Sequence, residues 1–275
     1  MLEVSRSGYY DWLTRPESSR KRANRILLGL IEGIHIGSRQ TYGYPRVYAE
    51  LKNQKIPCGR NRVARLMRRA GLKTCMQRLW ERSSRGRTFE HIEDNKLGRR
   101  FHADAMNSRW VSDYTFIPTA EGWLYLAVLM DLFSRSIVGW SMSAKRNAQL
   151  TLDALRMALN RRGKVRGLML HSDQGAEYRT AEYHETMKAN GIECSMSRKG
   201  NCLDNAAMES FFHTLKTEHA HHHRYRTRDE ARRSLFEYIE VFYNRQRRHS
   251  YLNYMTPIEF EKYNAVPNRL SVLSG

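Results

Sequence analysis

Three acidic residues, Asp113, Asp173 and Glu209, have the type and setting of a metal-binding group. Asp113 lies within RWVSDYTFI, where a mid-strand carboxylate among aromatic residues is costly to desolvate unless something pairs with it. Asp173 follows an apolar strand end in HSDQGAEY, and Glu209 lies in a helical segment. Carboxylate oxygens suit Mg²⁺ or Mn²⁺, and two such ions about 4 Å apart support phosphoryl transfer. The three residues therefore predict a two-metal site.

Other residues near these carboxylates have two interpretations each. Asn205, His213 and Lys216 share a helix face with Glu209, because they stand at offsets of −4, +4 and +7 from it. On that face Lys216 is placed to hold a DNA phosphate beside the metal ions, and the alternative is a solvated surface lysine. His171, two residues before Asp173, either orients that carboxylate or fills the strand end.

The charge of the chain indicates a polyanionic partner. Its 275 residues carry a formal net charge of +19, and residues 1–100 hold 23 Lys and Arg against 9 Asp and Glu. Nucleic acid is the simplest partner, and an anionic membrane surface is the other one. No apolar stretch reaches the roughly eighteen residues of a membrane span, so no span is predicted. The four cysteines form no CxxC pair, which predicts neither a zinc finger nor a disulfide framework.

The N-terminal region, residues 1–72, is predicted to be helical. Residues 18–37 form the first helix, with Ser18 or Ser19 as its cap and an apolar stripe at helical spacing: Ile26, Leu27, Leu30, Ile31 and Ile34. Residues 41–72 then predict two short helices separated by IPCG, the pattern of a helix-turn-helix. The second helix carries Arg60, Arg62, Arg65, Arg68 and Arg69. We interpret these arginines as DNA contacts, and the alternative is a solvated basic face in a small bundle.

The rest of the chain predicts an α/β domain. Residues 73–104 are basic and aperiodic, so we interpret them as a linker. Residues 105–265 give three strands, then helix, strand, helix, strand, helix and helix, and residues 266–275 form a tail. Such an order packs as a mixed sheet flanked by helices, as in the ribonuclease H-like fold. Asp204 is predicted to cap the helix that carries Glu209.

A second basic cluster follows the last long helix. It consists of Arg245, Arg247 and Arg248, beside Tyr243 and Tyr251. Positive charge combined with aromatic rings suits contact with a DNA backbone. The alternative is that these residues dock the last helix on the sheet, and both roles are compatible.

Three blocks of sequence resemble the catalytic blocks of a known family. VSDYTFI, HSDQGAEY and SRKGNCLDNAAMESFFHTLKTE are similar to those of the insertion-sequence-three family of bacterial transposases, in the product of its second reading frame. The 35 residues between Asp173 and Glu209 match the spacing typical of that family. YGYPRVYAELK, DLFSRSIVGW and YNRQRRHSYLNYMTPIEF extend the resemblance over nearly the whole chain.

The resemblance implies a catalytic core like that of retroviral integrases, with Asp113, Asp173 and Glu209 as its metal-binding triad and Lys216 as its basic residue. Such a transposase cleaves DNA at the ends of a mobile element and joins the 3′ hydroxyl to another phosphodiester, using two Mg²⁺ or Mn²⁺ ions. The implied partners are the terminal inverted repeats, target DNA, a second copy of the chain and the element's first-frame product, in a bacterial cytoplasm near the nucleoid. Glu177 departs from the pattern, because many relatives carry an amide there.

Two other functions are compatible with the sequence. A metal-dependent nuclease of the same fold would hydrolyse DNA without joining it, and fold alone does not separate the two. A DNA-binding regulator derived from a transposase would lack chemistry altogether, and the complete triad argues against it.

Overall fold

The structure, a computed structural model, describes residues 5–7, 10, 17–74, 95–198 and 202–265. The chain divides into two compact units, Met1–Arg78 and Leu79–Gly275. Most of the predicted linker and the whole predicted tail lie outside the described residues. Within the described ranges, no helix combines the length and apolar character that crossing a membrane requires.

Within residues 17–74, the N-terminal unit contains three helices: α1 (Ser19–Gly37), α2 (Tyr44–Asn53) and α3 (Arg60–Arg69). Ser18 caps α1, since its hydroxyl accepts from the Lys21 amide at 3.3 Å, as the sequence predicts. The three helices enclose one small core, whose buried members are Leu27, Ile31, Tyr42, Val47, Leu51, Val63, Leu66 and Met67.

The predicted apolar stripe of α1 is only partly correct. Leu27 and Ile31 are buried, but Ile26 and Leu30 are 62% and 40% exposed. His35 is buried instead, with its Nδ1 atom 3.0 Å from the carbonyl oxygen of Tyr42. Two helices of ten residues cover α1, so only a narrow face of it is shielded from solvent.

The second unit is built on a five-stranded sheet with the order β3-β2-β1-β4-β5. Its strands are β1 (Arg109–Thr119), β2 (Gly122–Asp131), β3 (Ile137–Ser143), β4 (Met169–Ser172) and β5 (Glu193–Met196). The first three strands pair antiparallel, and β4 and β5 continue the sheet in parallel with β1. This arrangement confirms the predicted mixed sheet.

Four helices cover the two faces of the sheet: α4 (Ala148–Arg162), α5 (Ala181–Ala189), α6 (Ala206–Glu218) and α7 (Arg228–Phe236). A further helix, α8 (Pro257–Ala265), contacts the turn after β2 and the end of α4. One core forms between the sheet and α6, α7 and the π-helical turn Glu237–Tyr243 that continues α7. The other forms between the sheet, α4 and α5. β2 contributes to both cores, which explains its nearly continuous apolar sequence.

Residues 95–103, assigned to the linker by their sequence, pack on this second unit. Leu97 and Ala103 are buried in the core shared with α6, and the Leu97 amide donates to the Ser195 hydroxyl at 3.3 Å. This part of the predicted linker is therefore ordered against the sheet, because its few apolar residues find a place in the core.

Candidate active site

The register of the sheet brings Asp113 and Asp173 together. β1 and β4 are parallel neighbours, and Val111 of β1 pairs with His171 of β4. Asp113 and Asp173 each stand two residues further on, so they reach the same level and the same face. Asp173 lies just beyond the carboxyl end of β4, where open α/β sheets bind ligands.

Backbone amides fix both carboxylates. The Tyr114 amide donates to Oδ1 of Asp113 at 2.7 Å, and the Gly175 amide donates to Oδ1 of Asp173 at 2.9 Å. A Cβ atom on Gly175 would lie 2.9 Å from the same Asp173 oxygen, so glycine is needed for this close approach. The turn after β4 therefore holds Asp173 at the level of Asp113.

The third carboxylate, that of Glu209, is carried by α6. Asn205, directly before the helix, donates its Nδ2 hydrogen to the Ser112 carbonyl oxygen at 3.3 Å, which ties the start of α6 to β1 beside Asp113. Glu209 lies on the first turn of α6, is exposed, and acts electrostatically on Asp113. The three predicted residues thus share one region of the second unit.

The prediction that Asp204 caps this helix is wrong. The residue at the cap position is Asn205, and Asp204 is fully buried one residue earlier. The carboxylate of Asp204 forms ion pairs with the Nε atoms of Arg99 and Arg198, each at 3.0 Å. A buried carboxylate needs such partners, and here the pairs join segment 95–103 to the start of the Glu209 helix.

The electrostatics of the site favour a cation. Burial, together with the negative charges of Asp173 and Glu209, raises the pKa of Asp113 to about 7, although the Tyr114 amide and the charge of Lys216 act to lower it. Three oxygen donors that repel one another suit a hard divalent cation, so these residues fit such an ion chemically. They do not form a closed cage, because no three His, Cys, Asp or Glu side chains among the described residues are grouped to hold a metal ion.

Lys216 lies close to this group. Its Nζ atom is 5.0 Å from the centre of the Phe116 ring, and its charge acts on Asp113. Burial lowers the pKa of Lys216, and the negative charge of Asp113 opposes that effect. Lys216 differs from an ordinary solvated lysine because its side chain is half-buried and interacts electrostatically with Asp113.

Sequence reasoning found Glu177 but missed its partner, Arg146. Arg146 pairs with Glu177 through Nε and, at 3.3 Å, through Nη2, and its guanidinium carbon lies 4.9 Å from the centre of the Tyr114 ring. Burial opposes ionisation of Glu177, but the hydrogen bond from Arg146, a hydrogen bond from the backbone of Glu177 and the charge of Arg146 together lower the pKa of that carboxyl. Glu177 is therefore an ion-paired carboxylate. The departure of Glu177 from the family pattern was the only signal that a compensating cation existed.

The role of His171 is structural. It is fully buried, and its ring nitrogens lie 2.9 Å and 3.0 Å from the hydroxyl oxygens of Ser195 and Ser197. Burial lowers its pKa to about 4, so the ring is neutral at ordinary pH. His171 joins β4 to β5 at the strand end, and its described hydrogen bonds do not reach Asp173.

Comparisons with known proteins decide the family. Two models, both described as integrase core domain, match residues 103–202 and 190–257, and a model described as HTH-like domain matches residues 21–79. Transposase InsF for insertion sequence IS3A of Escherichia coli (strain K12) is 41% identical over 266 residues, covering 96% of this chain and 92% of its own. An uncharacterized 31 kDa protein of insertion element IS600 of Shigella sonnei is 43% identical over 261 residues, covering 94% and 96%. The chain belongs to the IS3 family of transposases.

This membership confirms the family and the DNA transposition function predicted from the motifs. The fold is also found in a chain of the simian T-cell lymphotropic virus intasome, with a TM-score of 0.50 and 15% identity. That match covers 68% of the transposase, which spans about three fifths (61%) of the viral chain.

The predicted DNA-contact arginines of the transposase divide into accessible and structural ones. On α3, Arg60, Arg65, Arg68 and Arg69 are exposed, whereas Arg62 is half-buried and donates through Nε to Asn24 Oδ1 at 2.8 Å. Arg62 therefore joins α3 to α1.

In the second basic cluster, Arg245 is exposed, but the prediction for Arg247 is wrong. Arg247 is 4% exposed and pairs with both carboxylate oxygens of Glu218, at 2.7 Å and 2.8 Å. Arg248 is largely buried and donates to the Tyr254 carbonyl oxygen at 2.9 Å. Arg247 and Arg248 therefore have structural contacts, but these are to Glu218 of α6 and to Tyr254 rather than to the sheet, on which the alternative placed the last helix.

Proposed function

We propose that this transposase cleaves DNA at the ends of its mobile element and joins the freed 3′ hydroxyl to another phosphodiester through Asp113, Asp173 and Glu209. The observation that carries the proposal is the parallel register of β1 and β4, in which Val111 pairs with His171, each two residues before one of the two aspartates. The electrostatic action of Glu209 on Asp113 adds the third carboxylate.

The three carboxylates would hold divalent cations, Mg²⁺ or Mn²⁺, two in each site. When bound, these ions activate the attacking oxygen and stabilise the leaving oxygen of phosphoryl transfer. The residues around them supply position: Asn205 holds the Glu209 helix against β1, and the Gly175 amide orients Asp173. Lys216 binds a phosphate of the strand that is cut, since its charge lies next to Asp113.

Other basic residues bind the DNA at positions distant from the reacting phosphate. In the N-terminal region, residues 1–72, the exposed arginines of α3 contact the duplex, with α3 as the second helix of a helix-turn-helix. Arg245 contributes from the catalytic region, residues 105–265. These contacts neutralise phosphates, so binding weakens as salt concentration rises.

Joining requires two element ends in one assembly. Two or more copies of the chain therefore act together on the terminal inverted repeats and target DNA, and the element's first-frame product is a further partner. A protein acting on these DNAs works at the bacterial nucleoid, in the cytoplasm.

The test uses purified transposase and a duplex that carries the element end, with Mg²⁺ or with a chelator, and products are resolved on a denaturing gel. Wild type is compared with Asp173→Asn, which keeps the side-chain shape and removes the charge. Asp153→Asn on α4 is the matched control, because Asp153 is an exposed aspartate outside the site. We expect nicked and joined products only with Mg²⁺, lost in Asp173→Asn and retained in the control.

Two other results have clear meanings. Nicking without joining under conditions that include all partners would favour the nuclease. Specific DNA binding with no cleavage by wild type would favour the silent regulator and contradict the proposal.

A further inference from the structure

One face of the β1–β2 hairpin carries a row of aromatic side chains. In the antiparallel register Phe116 stands opposite Tyr125 and Pro118 opposite Trp123, so alternation places Tyr114, Phe116, Trp123 and Tyr125 on the same face. Further along this face, Ala127 and Leu129 are buried in the core formed with α4. Towards the hairpin tip, Phe116 and Trp123 are each 49% exposed.

The two exposed rings form a defined pair. The Phe116 and Trp123 ring centres are 4.8 Å apart at an interplanar angle of 75°. The backbone beneath them is fixed by α7, because Arg228 donates to the carbonyl oxygens of Trp123 at 3.1 Å and of Glu121 at 2.5 Å. Exposed rings on a fixed backbone can bind a flat partner at a small cost in conformational entropy.

By the same alternation Asp113 lies on the opposite face of β1, but two cations link the aromatic row to the carboxylate site. Lys216 Nζ lies 5.0 Å from the Phe116 ring centre, and its charge acts on Asp113. Arg146, which is paired with Glu177, lies over the Tyr114 ring at 4.9 Å and within the field of Asp173. Aromatic rings flanked by cations are complementary to a nucleic-acid strand, whose bases stack while its phosphates meet the positive charges.

We propose that Phe116 and Trp123, with Lys216 beside the Phe116 ring, bind unpaired DNA bases next to the scissile phosphate. The bases must be unpaired, because the faces of paired bases are already stacked within the duplex. The inference rests on the proposed function, which brings DNA to the neighbouring carboxylates. The hairpin would bind the separated strand at the cut site, whereas the arginines of α3 bind the paired duplex.

The test compares the binding of two DNAs to the full chain in the presence of chelator, so that no cleavage occurs. One is a fully paired duplex, and the other is a fork with a short unpaired thymidine arm and 2-aminopurine at the junction. Wild type should prefer the fork and quench the 2-aminopurine fluorescence by stacking. The double variant Phe116→Ala/Trp123→Ala should lose about tenfold in fork affinity and most of the quenching. Its affinity for the duplex should stay within about twofold.

Two controls separate stacking from other effects. Tyr263→Ala removes another exposed aromatic ring, 70% exposed on α8, and should behave as wild type. Trp123→Phe keeps a ring at the hairpin and should retain most of the quenching. A double variant that keeps both fork preference and quenching, or that weakens both DNAs equally, would overturn the inference. Asp173→Asn should keep the preference for the fork and the quenching even though it does not cleave, so this result is independent of the proposed chemistry.

Discussion

Replacing Arg247 should destabilise the second unit by about 3–5 kcal/mol, although the sequence around Arg247 predicts DNA contact. The side chains of Arg247 and Glu218 are 5% and 3% exposed, and two hydrogen bonds of 2.7 Å and 2.8 Å join them. Burial alone would lower the pKa of Arg247, but Glu218 outweighs it and holds the pKa above its usual value. Arg247→Met would leave the charge of Glu218 buried without this partner, with the Tyr238 hydroxyl at 3.4 Å as a weak substitute.

The assay is urea unfolding followed by fluorescence, with Trp110 and Trp140 of the sheet as reporters. Arg245→Met is the matched control, because Arg245 is exposed and its loss should change stability by about 0.5 kcal/mol or less. Adding Glu218→Met to Arg247→Met should recover much of the lost stability, since both buried charges are then absent. If Arg247→Met unfolds within about 1 kcal/mol of wild type while DNA binding falls, the structural role is refuted.

Three further outcomes follow from single residues. The pKa of His171 is lowered from 6.5 to about 4 in the folded protein, so the unfolded chain binds a proton at this histidine more readily. The free energy of unfolding should therefore fall by up to roughly 3 kcal/mol as the pH drops from 6.5 to 4. His171→Gln should flatten this pH dependence in urea titrations at several pH values. Gly139→Ala should cost about 1–3 kcal/mol, because the new Cβ would lie 2.7 Å from the Cβ of Ala158 on α4, and an unchanged melting temperature would contradict this close packing. Lys216→Met should reduce cleavage about tenfold or more at nearly constant melting temperature, with Lys216→Arg retaining more activity; a loss of folding instead would assign Lys216 to packing on Phe116.

The sequence by itself determined the elements and the family. Alternating and continuous apolar runs predicted the five strands, and the helix cap at Ser18 was predictable because a cap depends on only a few neighbouring residues. The three blocks that resemble the family's catalytic blocks predicted Asp113, Asp173 and Glu209 as a group, since residue types and spacing are local properties of the chain.

Only the tertiary structure decided which polar side chains meet. Arg245 and Arg247 are the same type of residue in the same basic cluster of the sequence. Arg245 is nevertheless exposed, whereas Arg247 is buried and paired with Glu218, 29 residues earlier. The same holds for Asp204, which resembles a helix cap but is buried between Arg99 and Arg198, and for Arg146 with Glu177. Periodicity reports the face of an element that is buried, but the partner of a buried charge depends on strand register and on helices packed from distant parts of the chain.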